Sequence, residues 1–164
     1  MEDIIIREIK EGEYSILEDM LYEAIFQEEN TNSFPPREII REPDIYVYID
    51  GFGSFPDDHC LVAVTDNKII GAVWTRILNR DVKGFGNIDS KTPEFAISLF
   101  KEFRNKGYGS IMMKQMIDLL KEEGYEQTSL SVNKNNYAVK MYKKLGFEII
   151  QENKHDYLML LKLK

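Results

Sequence analysis

Cysteine is almost missing from this chain. Cys60 stands alone among 164 residues, so no disulfide can form within it, and a reducing, cytoplasmic setting is expected. Histidine is scarce as well: His59 and His155 lie at no spacing from Cys or carboxylate that resembles a metal site, so no metal is expected. No apolar run approaches the ~18 residues that span a bilayer, and Met1-Glu-Asp-Ile-Ile-Ile-Arg-Glu8 lacks the basic start and apolar core of a signal peptide. Neither membrane insertion nor export is expected. Basic residues are outnumbered, 21 against 28 acidic ones, for a net charge of -7. That balance argues against a nucleic-acid partner, which needs a basic surface, and mildly favours cationic ones such as amines.

What is present is an ordinary globular composition, 43% hydrophobic and 30% charged, without repeats or a linker, so one domain over 1–164 is expected. Residues 3–9 read as a strand, and Tyr14, Leu17, Leu21, Ala24 and Ile25 recur at the spacing of a helix over 12–29. The stretch 30–58 carries Pro35, Pro36, Pro43 and Pro56 among Phe34, Tyr46, Tyr48, Phe52 and Phe55, and is expected to form short helices and loops. Two β-rich runs, 60–64 and 69–74, flank Thr65-Asp66-Asn67-Lys68 as a hairpin. A polar, glycine-containing loop over 79–91 leads into a strand at 94–100, with Pro93 at its start. A helix over about 107–123, a strand at 128–132, a helix stopped by Gly146, and strands at 147–150 and 157–163 complete the chain. The order β-α-(α)-β-β-β-α-β-α-β-β predicts an α/β (α+β) fold: a mixed, mostly antiparallel central sheet with helices on both faces.

Arg104-Asn105-Lys106-Gly107-Tyr108-Gly109, followed by Ser110, lies between a strand and an amphipathic helix. The first-turn N–H groups of a helix have no partners within it, and the helix dipole adds positive charge, so such a junction suits a pyrophosphate. Glycine lets the backbone approach phosphate closely. Alone, R-x-x-G-x-G is a weak pattern, equally that of a plain helix start with two solvated basic residues. It is neither the dinucleotide fingerprint nor a Walker A loop.

About two dozen residues later comes Asn135-x-x-Ala138-x-x-x-Tyr142-x-x-x-Gly146-Phe147. With the 104–109 turn in register before it, this resembles the GNAT superfamily of N-acetyltransferases over roughly 60–163. The resemblance implies that the strands on either side of the long helix splay apart and admit acetyl-CoA. Its pantetheine arm would pair with strand backbone near Leu99, its pyrophosphate would sit on 104–110, Asn135 would touch it near the thioester half, and Tyr142 would lie close to the sulfur.

Transfer to an amine requires a base, because the amine arrives protonated. Glu94 is the candidate, placed ten residues before Arg104, where related enzymes often carry a catalytic glutamate. Its alternative is a strand-edge carboxylate in solvent, and Asp89, Asp57 and Asp58 are in reserve. Tyr142 would protonate the departing thiolate, its phenol being a donor of matching basicity; the alternative is a core aromatic on the 138/141/142/145 stripe. Some protein N-terminal acetyltransferases of the superfamily carry their base on the strand equivalent to 128–132. Ser, Leu and Val stand there, so that arrangement does not transfer. Small residues at Ala96, Ser98, Ser129 and Ser131 leave room for a cleft or lie under a close helix. The 30–58 aromatics either line an acceptor pocket or pack the short helices, and Trp74 and Arg76 are further candidates to face the acceptor.

The expected activity is therefore acetyl-CoA-dependent N-acetyl transfer to a primary amine of a small molecule or peptide. A catalytically silent acyl-CoA sensor, needing the turn but not Glu94 and Tyr142, is the alternative, and a binder of other nucleotide phosphates is a third. The closing strands could support a homodimer.

Overall fold

The computed structural model describes residues 3–25 and 34–164. Seven strands form one sheet: β1 (Ile5–Glu8), β2 (His59–Thr65), β3 (Lys68–Arg76), β4 (Glu94–Leu99), β5 (Gln127–Asn133), β6 (Glu148–Glu152) and β7 (Asp156–Lys162). Their spatial order is β1-β2-β3-β4-β5-β7-β6, and every pairing is antiparallel except that of β4 with β5. Among the described residues are four α-helices, α1 (Ile16–Ala24), α2 (Pro43–Tyr46), α3 (Tyr108–Glu122) and α4 (Ala138–Leu145), and 3-10 turns at Glu11–Glu13, Arg37–Arg41 and Lys101–Phe103.

The expected helix over 12–29 is shorter at its start. Glu11–Glu13 form a separate 3-10 turn, held where Arg7 forks onto Glu13 at 2.8 and 2.9 Å, and α1 begins only at Ile16. Its last described residue, Ile25, is already extended, and 26–29 lie outside the described residues. The hairpin turns as its residues dictate, with Asp66 and Asn67 both at positive φ (49° and 62°). A tight hairpin of this hand needs that conformation, and Asp and Asn tolerate it best after Gly.

β2 and β3 are buried on both faces because helices cover both. Leu61, Ala63, Ile70 and Val73 join the cluster under α3 and α4, while Cys60, Val62, Ala72 and Trp74 join Leu17, Met20 and Leu21 of α1. Two cores on opposite faces fix the register, since a one-residue slip would exchange them. On α3, Met112, Met113 and Met116 are completely buried, the unbranched side chain filling an irregular space between helix and twisted sheet.

Candidate active site

β4 and β5 touch at one place only. Glu94 pairs with Ser129, and the Ser129 N–H donates to Pro93 O at 3.1 Å; beyond this point the strands part. The Phe100 N–H donates across to Ile70 O on β3. By the alternation of a strand, the peptide groups of Ile97 and Leu99 therefore point away from β3, into the gap. A cavity of about 390 Å³ opens there, lined among others by Tyr48, Phe85, Glu94, Asn136 and Tyr142.

Glu94 is not a solvated carboxylate: only 2% of its surface is exposed. Its Oε2 accepts from the Tyr48 hydroxyl and from the Gly86 N–H at 3.0 Å, whereas Oε1 is buried with no hydrogen-bond partner among the described residues. Burial pushes the carboxyl up to about 7, and the Tyr48 and Gly86 hydrogen bonds, which favour the charged form, only partly oppose it. The loop 79–91 folds over this group. Ser129 Oγ donates to Gly86 O at 2.6 Å, and the Phe85 N–H donates to the Tyr48 hydroxyl at 2.9 Å. A Cβ at Gly84 would collide with Glu94 Oε1, and one at Gly86 would come within 3.0 Å of the carboxyl carbon. The two glycines are what allow backbone to close on the carboxylate.

Tyr48 is held from below by β3. Trp74 Nε1 donates to Tyr48 O at 3.1 Å, and Arg76 Nη1 donates to Val47 O and Asp50 O at 3.0 and 2.8 Å. Arg76 also forks onto Asp58, at 2.9 and 3.1 Å, with both side chains buried. Trp74 and Arg76 therefore do not face the cavity; they brace the segment that carries Tyr48. Of the five aromatics of 30–58, Tyr48 alone lines the cavity, and Phe52 packs between Tyr14 and Arg76. Asp58 is spent on Arg76, Asp57 Oδ1 accepts from the Tyr125 hydroxyl at 2.5 Å, and Asp89 is exposed and held below the usual carboxylate range by hydrogen bonds from Thr92 and Lys91. None of the three lines the cavity.

Tyr142 reaches the same cavity from the other face of the sheet. It is buried, and its hydroxyl makes no hydrogen bond within the described residues; burial drives its pKa well above 10. The turn that ends α4 sets its place. Gly146, at φ 106°, turns the chain so that the Phe147 N–H donates to Tyr142 O at 3.0 Å, a helix-closing pattern that needs a left-handed residue. Phe147 then packs edge-on against both Tyr142 and Phe95 of β4, each at 6.0 Å. The spacing Tyr-x-x-x-Gly-Phe is thus one packed unit joining α4 to β4.

In the 104–109 turn, Asn105 and Gly107 take positive φ (63° and 85°) and α3 starts at Tyr108. Among the described residues no acceptor meets the N–H groups of 105–110. They form a run of donors at a helix start, as a pyrophosphate needs. Tyr108 contributes only backbone there, since its ring is in the core. Lys106 is exposed over the Phe103 ring. Arg104 is occupied elsewhere: Nε donates to Leu99 O at 2.9 Å, and Nη2 bridges to Glu23 at 2.8 Å. It ties the turn to β4 and α1. Asn135 is exposed ahead of α4, whereas its neighbour Asn136 lines the cavity.

Sequence reasoning named Glu94 and Tyr142, offered Tyr48 only as one of five aromatics that either line an acceptor pocket or pack the short helices, and missed Gly84-Phe85-Gly86. The paired glycines in a loop just before the candidate base were the available signal. Among the described residues no group of His, Cys, Asp or Glu is placed to hold a metal, and no helix is long and apolar enough to cross a membrane.

The chain is similar to known acetyltransferases. It is 29% identical over 84 residues to a [ribosomal protein bS18]-alanine N-acetyltransferase from Haemophilus influenzae, a match that takes in 49% of this chain and 58% of that relative. Its fold matches the Thermoplasma acidophilum PaiA N-acetyltransferase solved in complex with coenzyme A (TM-score 0.69, 20% identity, 98% of this chain and 99% of that one). It also matches the Escherichia coli ribosomal-protein-S18-alanine N-acetyltransferase (TM-score 0.68, 13% identity, 99% and 95%). The acetyltransferase (GNAT) family model matches residues 21–147, and the chain belongs to that family.

Proposed function

We propose that this chain transfers the acetyl group of acetyl-CoA to a primary amine by direct attack, with Glu94 as base and Tyr142 as acid. The observation that carries this reading is the state of Glu94: a carboxyl raised to about 7, one oxygen unpartnered, at the point where β4 and β5 part. A base works best with a pKa near the operating pH, and a solvated glutamate would be some hundredfold weaker as a base.

The donor supplies an activated acetyl thioester. The N–H run of 105–110 and Lys106 would hold its pyrophosphate, and the outward peptide groups of Ile97 and Leu99 would pair with its amide arm. Asn135 would meet it near the thioester half from outside the cavity. Tyr48 and Gly86 hold Oε2 of Glu94, which leaves Oε1 to take the amine proton. A backbone N–H near Leu99 would stabilise negative charge developing on the carbonyl oxygen. Tyr142 stays protonated across the working range, because burial raises its pKa, and so has a proton to give the thiolate.

Thermal shift with coenzyme A, ATP and NAD tests the cofactor: selective stabilisation by coenzyme A is expected, and stabilisation by ATP alone overturns the proposal. Thiol release across an amine panel tests the chemistry. Tight coenzyme A binding with no turnover on any amine would instead make the chain an acyl-CoA sensor.

A further inference from the structure

We infer that the acceptor half of the cavity takes a primary amine with an apolar or aromatic arm and no carboxylate beside the amine. This rests on Glu94 as the base, and it concerns the side of the sheet facing α1 and α2. On β5, Leu130 and Val132 join the core under α3 and α4, so Ser131 and Asn133 face the acceptor side. Asp156 of β7 lies opposite Asn133, and its Oδ2 accepts from Ser131 Oγ at 3.4 Å. That wall is polar. The facing wall is hydrocarbon, from Leu21, Ala24, Ile25, Ile45, Tyr48 and Phe85, and Glu94 is the floor.

Phe85 is the informative member. The residue keeps 55% of its surface exposed, yet its ring is stacked on Tyr48 at 6.4 Å and 16° while its own N–H is bonded to the Tyr48 hydroxyl. An apolar ring held open at the wall of a cavity, at no benefit to the core, is surface available to a ligand. Because the same tyrosine carries Phe85 and braces Glu94, the arm of the acceptor and its amine would be registered by one residue.

Charge narrows the class further. Among the described residues Glu94, Asp156 and His155 line the cavity, and neither Lys nor Arg does. An amino acid would bring its own carboxylate against two others, with no Lys or Arg among the described residues to receive it. A polyamine could set a second ammonium on Asp156, so the hydrocarbon wall with Phe85 held open in it is what favours an apolar or aromatic arm over a second charge.

The test is thiol release from acetyl-CoA by the whole chain with 2-phenylethylamine, ethylamine, phenylalanine, phenylalanine amide and spermidine. Phenylethylamine should exceed ethylamine, spermidine and phenylalanine in kcat/KM by about tenfold or more, with phenylalanine amide recovering most of the loss seen for the acid. Phe85→Ala should shrink the phenylethylamine-to-ethylamine ratio at least several-fold. Preference for spermidine, or an unchanged ratio in Phe85→Ala, overturns the assigned class and leaves the acetyltransferase reading standing. Thiol release that no amine raises, ethylamine included, while coenzyme A still stabilises the fold, overturns the base assignment and this inference together.

Discussion

Replacing Glu94 by glutamine should make the protein a poorer enzyme and, above neutral pH, a more stable one. In the unfolded chain this carboxyl titrates near 4.5, and in the folded protein burial holds it at about 7. The fold therefore binds the proton more tightly than the unfolded chain does. The stability this confers is complete below about 4.5 and is lost as pH rises to about 7. Each unit of that window is worth about 1.4 kcal/mol, so roughly 3 kcal/mol disappears across it. Glutamine keeps an oxygen for the Gly86 and Tyr48 donors but cannot ionise, and the variant has no such window. Urea unfolding of both proteins at fixed pH from 5 to 8 should show the variant gaining on the wild type by ~2–3 kcal/mol, most of it below pH 7. In thiol-release assays the wild type should show an inflection near 7, and the variant should lose it together with at least about 10²-fold in kcat/KM. Parallel stability curves would refute the buried carboxyl. A surviving inflection would refute its role as base.

Tyr48→Phe removes an O–H that favours the charged form of Glu94, so the inflection should move above 7 and activity at pH 7 should fall about tenfold. A downward move would show that Tyr48 does not brace the base. Tyr142→Phe should lower turnover by about 10²-fold with coenzyme A affinity within a factor of about two; since the phenol makes no hydrogen bond among the described residues, a large affinity loss by calorimetry would assign it to packing instead. Asp58→Ala leaves the buried Arg76 guanidinium without its counter-charge and should cost about 3–5 kcal/mol of unfolding free energy; a loss under about 1 kcal/mol would show that the pair does not hold the 47–58 segment.

The features legible in the sequence are those fixed by neighbours a few residues away. Asp66-Asn67 turns its own hairpin, Gly146 ends its own helix, and the stripe at Met112, Met116 and Leu120 buries the face its period predicts, whereas of the 138/141/142/145 stripe only Tyr142 is buried, with Val139 beside it. What escaped depends on partners far along the chain and on segments without periodicity. The hydrogen bond that braces Glu94 comes from Tyr48, 46 residues earlier, in a stretch where Tyr48 looks no different from Tyr46 or Phe52. Arg104, read as a phosphate ligand from its place in the turn, spends its head group on Glu23, 81 residues away. Reading from residue type goes wrong here in one consistent direction. A charged side chain in a motif looks like a ligand contact until the fold shows which backbone it must hold. Arg104 and Arg76 are both such cases, the first tying the turn to β4 and α1, the second pinning 47–50 beneath the base. Between them they hold segments beside the cavity that Glu94 and Tyr142 both line. It follows that the candidate chemistry is carried by few groups, and that the arginines nearest to it act on geometry. Their removal should therefore be read first in stability and only then in rate.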